Sequence, residues 1–202
     1  MSNAIKIVIV ALFLLVYSPF LSKIYAQEMV VETDTPVGVE NIATEGSILK
    51  VEKINYELPY PGMLPDNPFY FLKALRDGMV KILINVDMKM ARFSILNAEK
   101  RMFSAKLLTG KNKDKLAVET ISKGNNYLIE SLSAIRRYQK THPKSADVKP
   151  FLLQLDTSIK KLLEVQEDMQ NSIDKDYREH FATEHKRTDG IEQTVKVMLR
   201  QR

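Results

Sequence analysis

Three side chains at helical spacing offer this sequence its best prospect of chemistry: Asp176, His180 and Glu184. Placed four apart, they share one face of a helix. A carboxylate, an imidazole and a second carboxylate in that order can hold zinc or another divalent ion. A working site needs three or four converging ligands, ordinarily from more than one element. The neighbourhood offers no such set, because His185 falls about 140° round the helix from His180. The competing reading is a polar helix face laced by local ion pairs, and neither a metal nor a cofactor is expected. His142, the remaining histidine, stands before Pro143 at a helix end, where an imidazole suits the helix dipole.

Other chemistries lack their parts. The seven glycines are scattered singly, so no phosphate-cradling loop is present, and there is no Gly-x-Ser-x-Gly elbow. The absence of Cys removes thiol nucleophiles, thiolate metal sites and disulfides. Glu167-Asp168 and Asp174 with Asp176 lie among Lys and Arg at exposed positions, with nothing to mark a buried acid–base pair. Arg136-Arg137 and Lys160-Lys161 have no interleaved aromatics for nucleic acid. Met79, Met88, Met90 and Met102 fall at helical spacing among Ile and Leu, which reads as core filler rather than an adaptable groove. No catalytic residue is expected, and the chain reads as a non-enzyme.

What remains is architecture. A structural lead-in, Leu64, Pro65, Asp66, Asn67, Pro68, Phe69, Tyr70, Phe71, Leu72, opens the helical part. Asp66 or Asn67 can accept from the first free backbone N–H groups, and Pro68 sits where a missing N–H costs nothing. Phe69, Phe71, Leu72 and Leu75 load this start with apolar surface, which predicts that Phe71, Leu72 or both face inward. The first helix is expected from Pro68 to about Ile84, and the second from Met88 to about Thr109 with Asp87 as its cap. The third runs from Asp114, as cap, to about Thr141. The fourth starts between Ser145 and Pro150 and reaches about Ile173. The fifth covers about Asp176 to Leu199, with Asp189-Gly190 as a candidate break.

Alternating steps of three and four pick out one seam on each long helix. They are Ala91, Ile95, Ala98, Met102 and Ala105; then Ala117, Ile121, Gly124, Leu128, Ser131, Ile135 and Tyr138. The fourth helix gives Val148, Leu152, Leu155, Ile159, Leu162, Gln166, Met169 and Ile173. The fifth gives Tyr177, Phe181, Glu184, Thr188, Ile191, Val195 and Met198. The fold class expected is an all-α, elongated antiparallel bundle of about five helices over residues 64–202. Gln166, Glu184 and Thr188 interrupt the last two seams. They predict a firm core of the first three helices and a more open C-terminal hairpin over 145–202.

The N-terminal part reads differently. Lys6 precedes an apolar run from Ile7 to Tyr17, Pro19 breaks it, and Ala26 offers a cleavage point, so residues 1–26 read as a signal peptide. The run is short of the roughly 20 residues that span a bilayer, and an uncleaved anchor is the alternative. Residues 27–63 carry seven acids against Lys50 and Lys53 and read as an extended acidic linker. Within it Ile54, Tyr56 and Leu58 alternate with polar residues, as in an arm laid on the helical body. The remainder, 65–202, has 26 basic and 18 acidic residues, interspersed as on a solvated helical surface.

The stretches Leu64–Leu75 and Ala91-Arg92-Phe93-Ser94-Ile95-Leu96-Asn97-Ala98-Glu99-Lys100-Arg101 resemble a bacterial domain-of-unknown-function family, number 5667, over about residues 60–140. The resemblance implies an exported or membrane-tethered helical domain and brings no activity or catalytic residue with it. The functional expectation is an exported, non-enzymatic interaction or structural module of the bacterial cell envelope, secreted, periplasmic or on the cell surface. Its partner would be another envelope protein or a second copy, not nucleic acid. The membrane would enter only through the N-terminal segment if that is retained. The alternative is an extracytoplasmic small-molecule or metal-binding helical protein using Asp176, His180 and Glu184.

Overall fold

The computed structural model describes residues 54–201. The expected signal segment and the linker up to residue 53 lie outside them. The described chain is all-α. Helices α1 (Tyr70–Leu83), α2 (Asp87–Thr109), α3 (Asp114–Thr141), α4 (Val148–Gln170) and α5 (Arg178–Arg200) follow one another, with a single 3-10 turn, Lys175–Tyr177, before α5. No strand occurs among the described residues.

Helices α2 to α5 form a four-helix bundle in which their apolar seams cover one another. Each predicted seam residue of α2 is buried, as are Ala117, Ile121, Gly124, Leu128, Ser131 and Ile135 of α3. The α4 seam is buried from Val148 to Ile173, and Phe181, Thr188, Ile191, Val195 and Met198 close it from α5. Short loops make α2 with α3 and α4 with α5 two antiparallel hairpins. The hairpins then join side by side, α2 along α4 and α3 along α5. Glu99 meets Ser158 and Lys106 meets Asp168, so α2 and α4 advance together in the same direction. The two helices of the N-terminal hairpin approach closely at Gly124. A Cβ built on Gly124 would stand 3.3 Å from the Cβ of Arg101 and 3.5 Å from the carbonyl oxygen of Ala98.

Four expectations need correction. The C-terminal hairpin is not open: Gln166 and Thr188 are fully buried, because the polar groups interrupting the seams meet partners in the same layer. Gly190 does not break α5, which runs through it. Asp87 and Asp114 are first helical residues rather than caps of their own helices. Asp87 instead accepts from Arg137 at 2.8 Å, and Asp114 accepts from the backbone N–H of Asp174 at 2.9 Å, tying the turn before α5 to the start of α3.

The largest correction concerns the lead-in. Phe69, Phe71, Leu72 and Leu75 are all exposed, and the buried residue of α1 is Asp77. The bundle closes its core with four helices, leaving no seam for α1 to fill. The side of α1 nearer the body is polar and is already engaged. The Tyr70 ring lies under the Arg101 guanidinium at 5.2 Å, and Lys81 pairs with Glu130 at 2.7 Å. Asn67 still shapes the start: its Oδ1 accepts from Phe69 N at 2.9 Å, and the helix begins two residues past Pro68.

Candidate docking surface

The lead-in is held down by polar contacts along an extended arm. Ile54 N donates to Glu164 of α4 at 3.1 Å, and Lys161 donates back to Ile54 O at 3.2 Å. Tyr56 then reaches α2, its phenol donating to Glu99 Oε1 at 2.5 Å. Leu58 rests against the core, and Tyr60 packs edge-on against Phe103 at 6.3 Å between ring centres. Gly62 turns the arm with φ +68°, a conformation a side chain would strain. Lys73 of α1 donates to Pro61 O and Met63 O, and Asp66 pairs with Lys113 at 2.8 Å and Lys111 at 3.1 Å. Bonds from Lys113 and Lys111 hold the Asp66 carboxyl below its ordinary pKa, while burial pushes the Lys73 ammonium down.

Where the arm meets α2 it covers a buried carboxylate. Glu99 is 4% exposed and accepts from both Tyr56 and Ser158 through Oε1. Burial raises its pKa more than those two donors lower it. The Tyr56 phenol is pushed up in turn, first by burial and then by its bond to Glu99. Glu99 was not singled out by spacing, since it lies one position past the seam residue Ala98. Asn125, next to Gly124, escaped attention for the same reason.

Asn125 belongs to a second polar cluster, which absorbs one of the proposed metal ligands. Gln166 Nε2 donates to Thr188 Oγ1 at 2.9 Å, and Asn125 Nδ2 donates to Glu184 Oε2 at 2.8 Å. His185 Nδ1 lies 3.0 Å from Gln166 Oε1, and Arg187 contacts Glu184 at 3.3 Å. Glu184 thus turns inward between α3 and α5, whereas Asp176 and His180 stay exposed. Asp176 gives its backbone N–H to Asp174 Oδ1 at 3.2 Å. The three do not converge, and no group of three or more His, Asp or Glu positioned for a metal ion occurs among the described residues. Hollows are shallow: one of about 280 Å³ beside the α2–α3 loop is lined by Lys113, Asp114, Glu119 and Tyr177, among others.

No family model matches the sequence, and no curated protein or solved structure matches it. The geometry must therefore speak alone, and its most unusual feature is the outer face of α1. Thirteen large apolar side chains are exposed among the described residues, and ten of them lie between Tyr60 and Val86. Phe71, Leu75, Met79, Ile82, Leu72 and Leu83 fall within about 120° of one another round the helix, opposite Tyr70, Lys73 and Asp77. Ile82 is 85% exposed and Leu83 79%. The exposed apolar side chains are thus concentrated on one short helix rather than scattered singly. Among the described residues no helix is long and apolar enough to cross a membrane.

Proposed function

We propose that the chain is an exported, non-enzymatic docking module of the bacterial cell envelope. The four-helix bundle acts as a rigid base, and α1 is the element that meets a partner. The observation that supports this reading is the outward apolar face of α1, clamped from behind by polar contacts that fix its direction. Membership of the exported helical family 5667, from the Leu64–Leu75 and Ala91–Arg101 stretches, belongs to the same proposal. A photo-crosslinking side chain introduced at Phe71 in the native cell should form adducts with envelope components. The same group at Gln154, exposed on α4, should not. Equal labelling from both positions, or none from Phe71, overturns the reading.

A further inference from the structure

We infer that the occupant of the α1 face is the surface of an anionic lipid bilayer, an inference that rests on α1 being the docking element. Three observations single out lipid. The first is composition: Phe69, Phe71, Leu72, Leu75, Ile82 and Leu83 are exposed on or just before one helix turned outward. An amphipathic helix of this make-up lies in the plane of a membrane with its apolar face among the acyl-chain boundaries.

The second is charge. Lys73, Arg76 and Lys81 against Asp77 make α1 cationic. The side chain of Arg76 remains 49% exposed just past Leu83 at one edge of the apolar strip, whereas Lys81 lies on the body side, paired with Glu130 at 2.7 Å. A long basic side chain at that edge extends to lipid phosphates while its stem covers apolar surface. A second copy would bring the same net positive helix against itself.

The third is area. A helix of 14 residues is about 21 Å long and presents a strip of only a few hundred Å². One such strip falls short of the roughly 800 Å² that each side of a stable protein interface buries. A bilayer requires no matching shape and accepts a strip of this size. One short helix gives weak, reversible attachment, so a second membrane signal on the same chain would act with it. The apolar run Ile7–Tyr17 supplies such a signal only where residues 1–26 are retained.

The chain has no Cys, so a single reporter can be placed without removing native residues. In the full chain, a Leu75→Cys variant carries a polarity-sensitive fluorophore, and a Gln154→Cys variant serves as reference. Vesicles of phosphatidylcholine with an equal part of phosphatidylglycerol should shift the Leu75 reporter to the blue. Lipids carrying a quencher just below the headgroup should quench it. The Gln154 reporter should do neither, even if the N-terminal segment attaches the chain to the vesicle. A vesicle-bound chain whose Leu75 reporter stays unshifted overturns the inference. So does a shift that follows protein concentration without vesicles, which means a second copy, or one needing delipidated envelope protein. In those last two cases docking through α1 survives and only lipid falls. Absence of crosslinks from Phe71 would remove both.

Discussion

Glu99 shows how much a single residue off the seam can decide. Its carboxylate is out of water on α2, facing Tyr56 from the arm and Ser158 from α4, so three segments meet at one oxygen. Losing the phenol leaves a buried acceptor short of a donor, and Tyr56→Phe should cost about 1–3 kcal/mol, read by thermal denaturation. The raised pKa fixes the sign of a pH effect. Between the ordinary Glu value, about 4.3, and the higher value in the fold, the folded chain keeps a proton that the unfolded chain has lost. Stability from this group is therefore present below that window and declines as pH rises through it. Glu99→Gln cannot titrate, so the melting temperature of the variant relative to the parent should rise from about pH 4 to about pH 7. A difference that does not change with pH would mean that Glu99 titrates as in water.

At the scale of elements, the step of the seams was legible because buried positions on α2 to α5 repeat at three and four. The predicted boundaries of α3 and the close α2–α3 approach at Gly124 follow from the same pattern. There the space left for a side chain separates glycines that look alike in sequence. Gly124→Leu must push Arg101 or the α2 backbone aside and should lower stability by about 1–3 kcal/mol. Gly190 has open space around its Cβ direction in mid-α5, so Gly190→Ala should raise it by about 1 kcal/mol. Equal tolerance of both changes in thermal denaturation would contradict the packing of α2 on α3. The direction of α1 was not legible. Periodicity shows that Phe71, Leu75 and Ile82 share a face, but not whether that face turns inward. The answer lies in Arg101, Glu130 and the carbonyls of Pro61 and Met63, which engage the opposite face and are distant or unpatterned in sequence. The Asn125–Glu184 bond was hidden likewise, since it joins residues 59 apart.

For the molecule as a whole, the question is which parts unfold together. The seams of α2 to α5 close on one another, and the layer of Asn125, Gln166 and Thr188 pins α4 and α5 to α3 by bonds buried from water. Such a layer is costly to open, because each separated group would lose its partner in an apolar setting. The C-terminal hairpin should thus be as protected as the N-terminal one. By contrast α1 buries no apolar side chain. Local opening requires few buried contacts to break, so α1 and the Ile84–Val86 link should admit a protease long before the bundle does. Trypsin has Lys81 and Lys89 within reach of this link, both exposed. Limited digestion, read by mass spectrometry under denaturing conditions, should leave a resistant polypeptide that starts between residues 82 and 90 and extends to the end of α5. The arm fragment should stay bound to it under native conditions through Tyr56 and Ile54. A resistant piece ending near Thr141, with α4 and α5 lost first, would show that the two hairpins are separate units and that the buried polar layer does not join them.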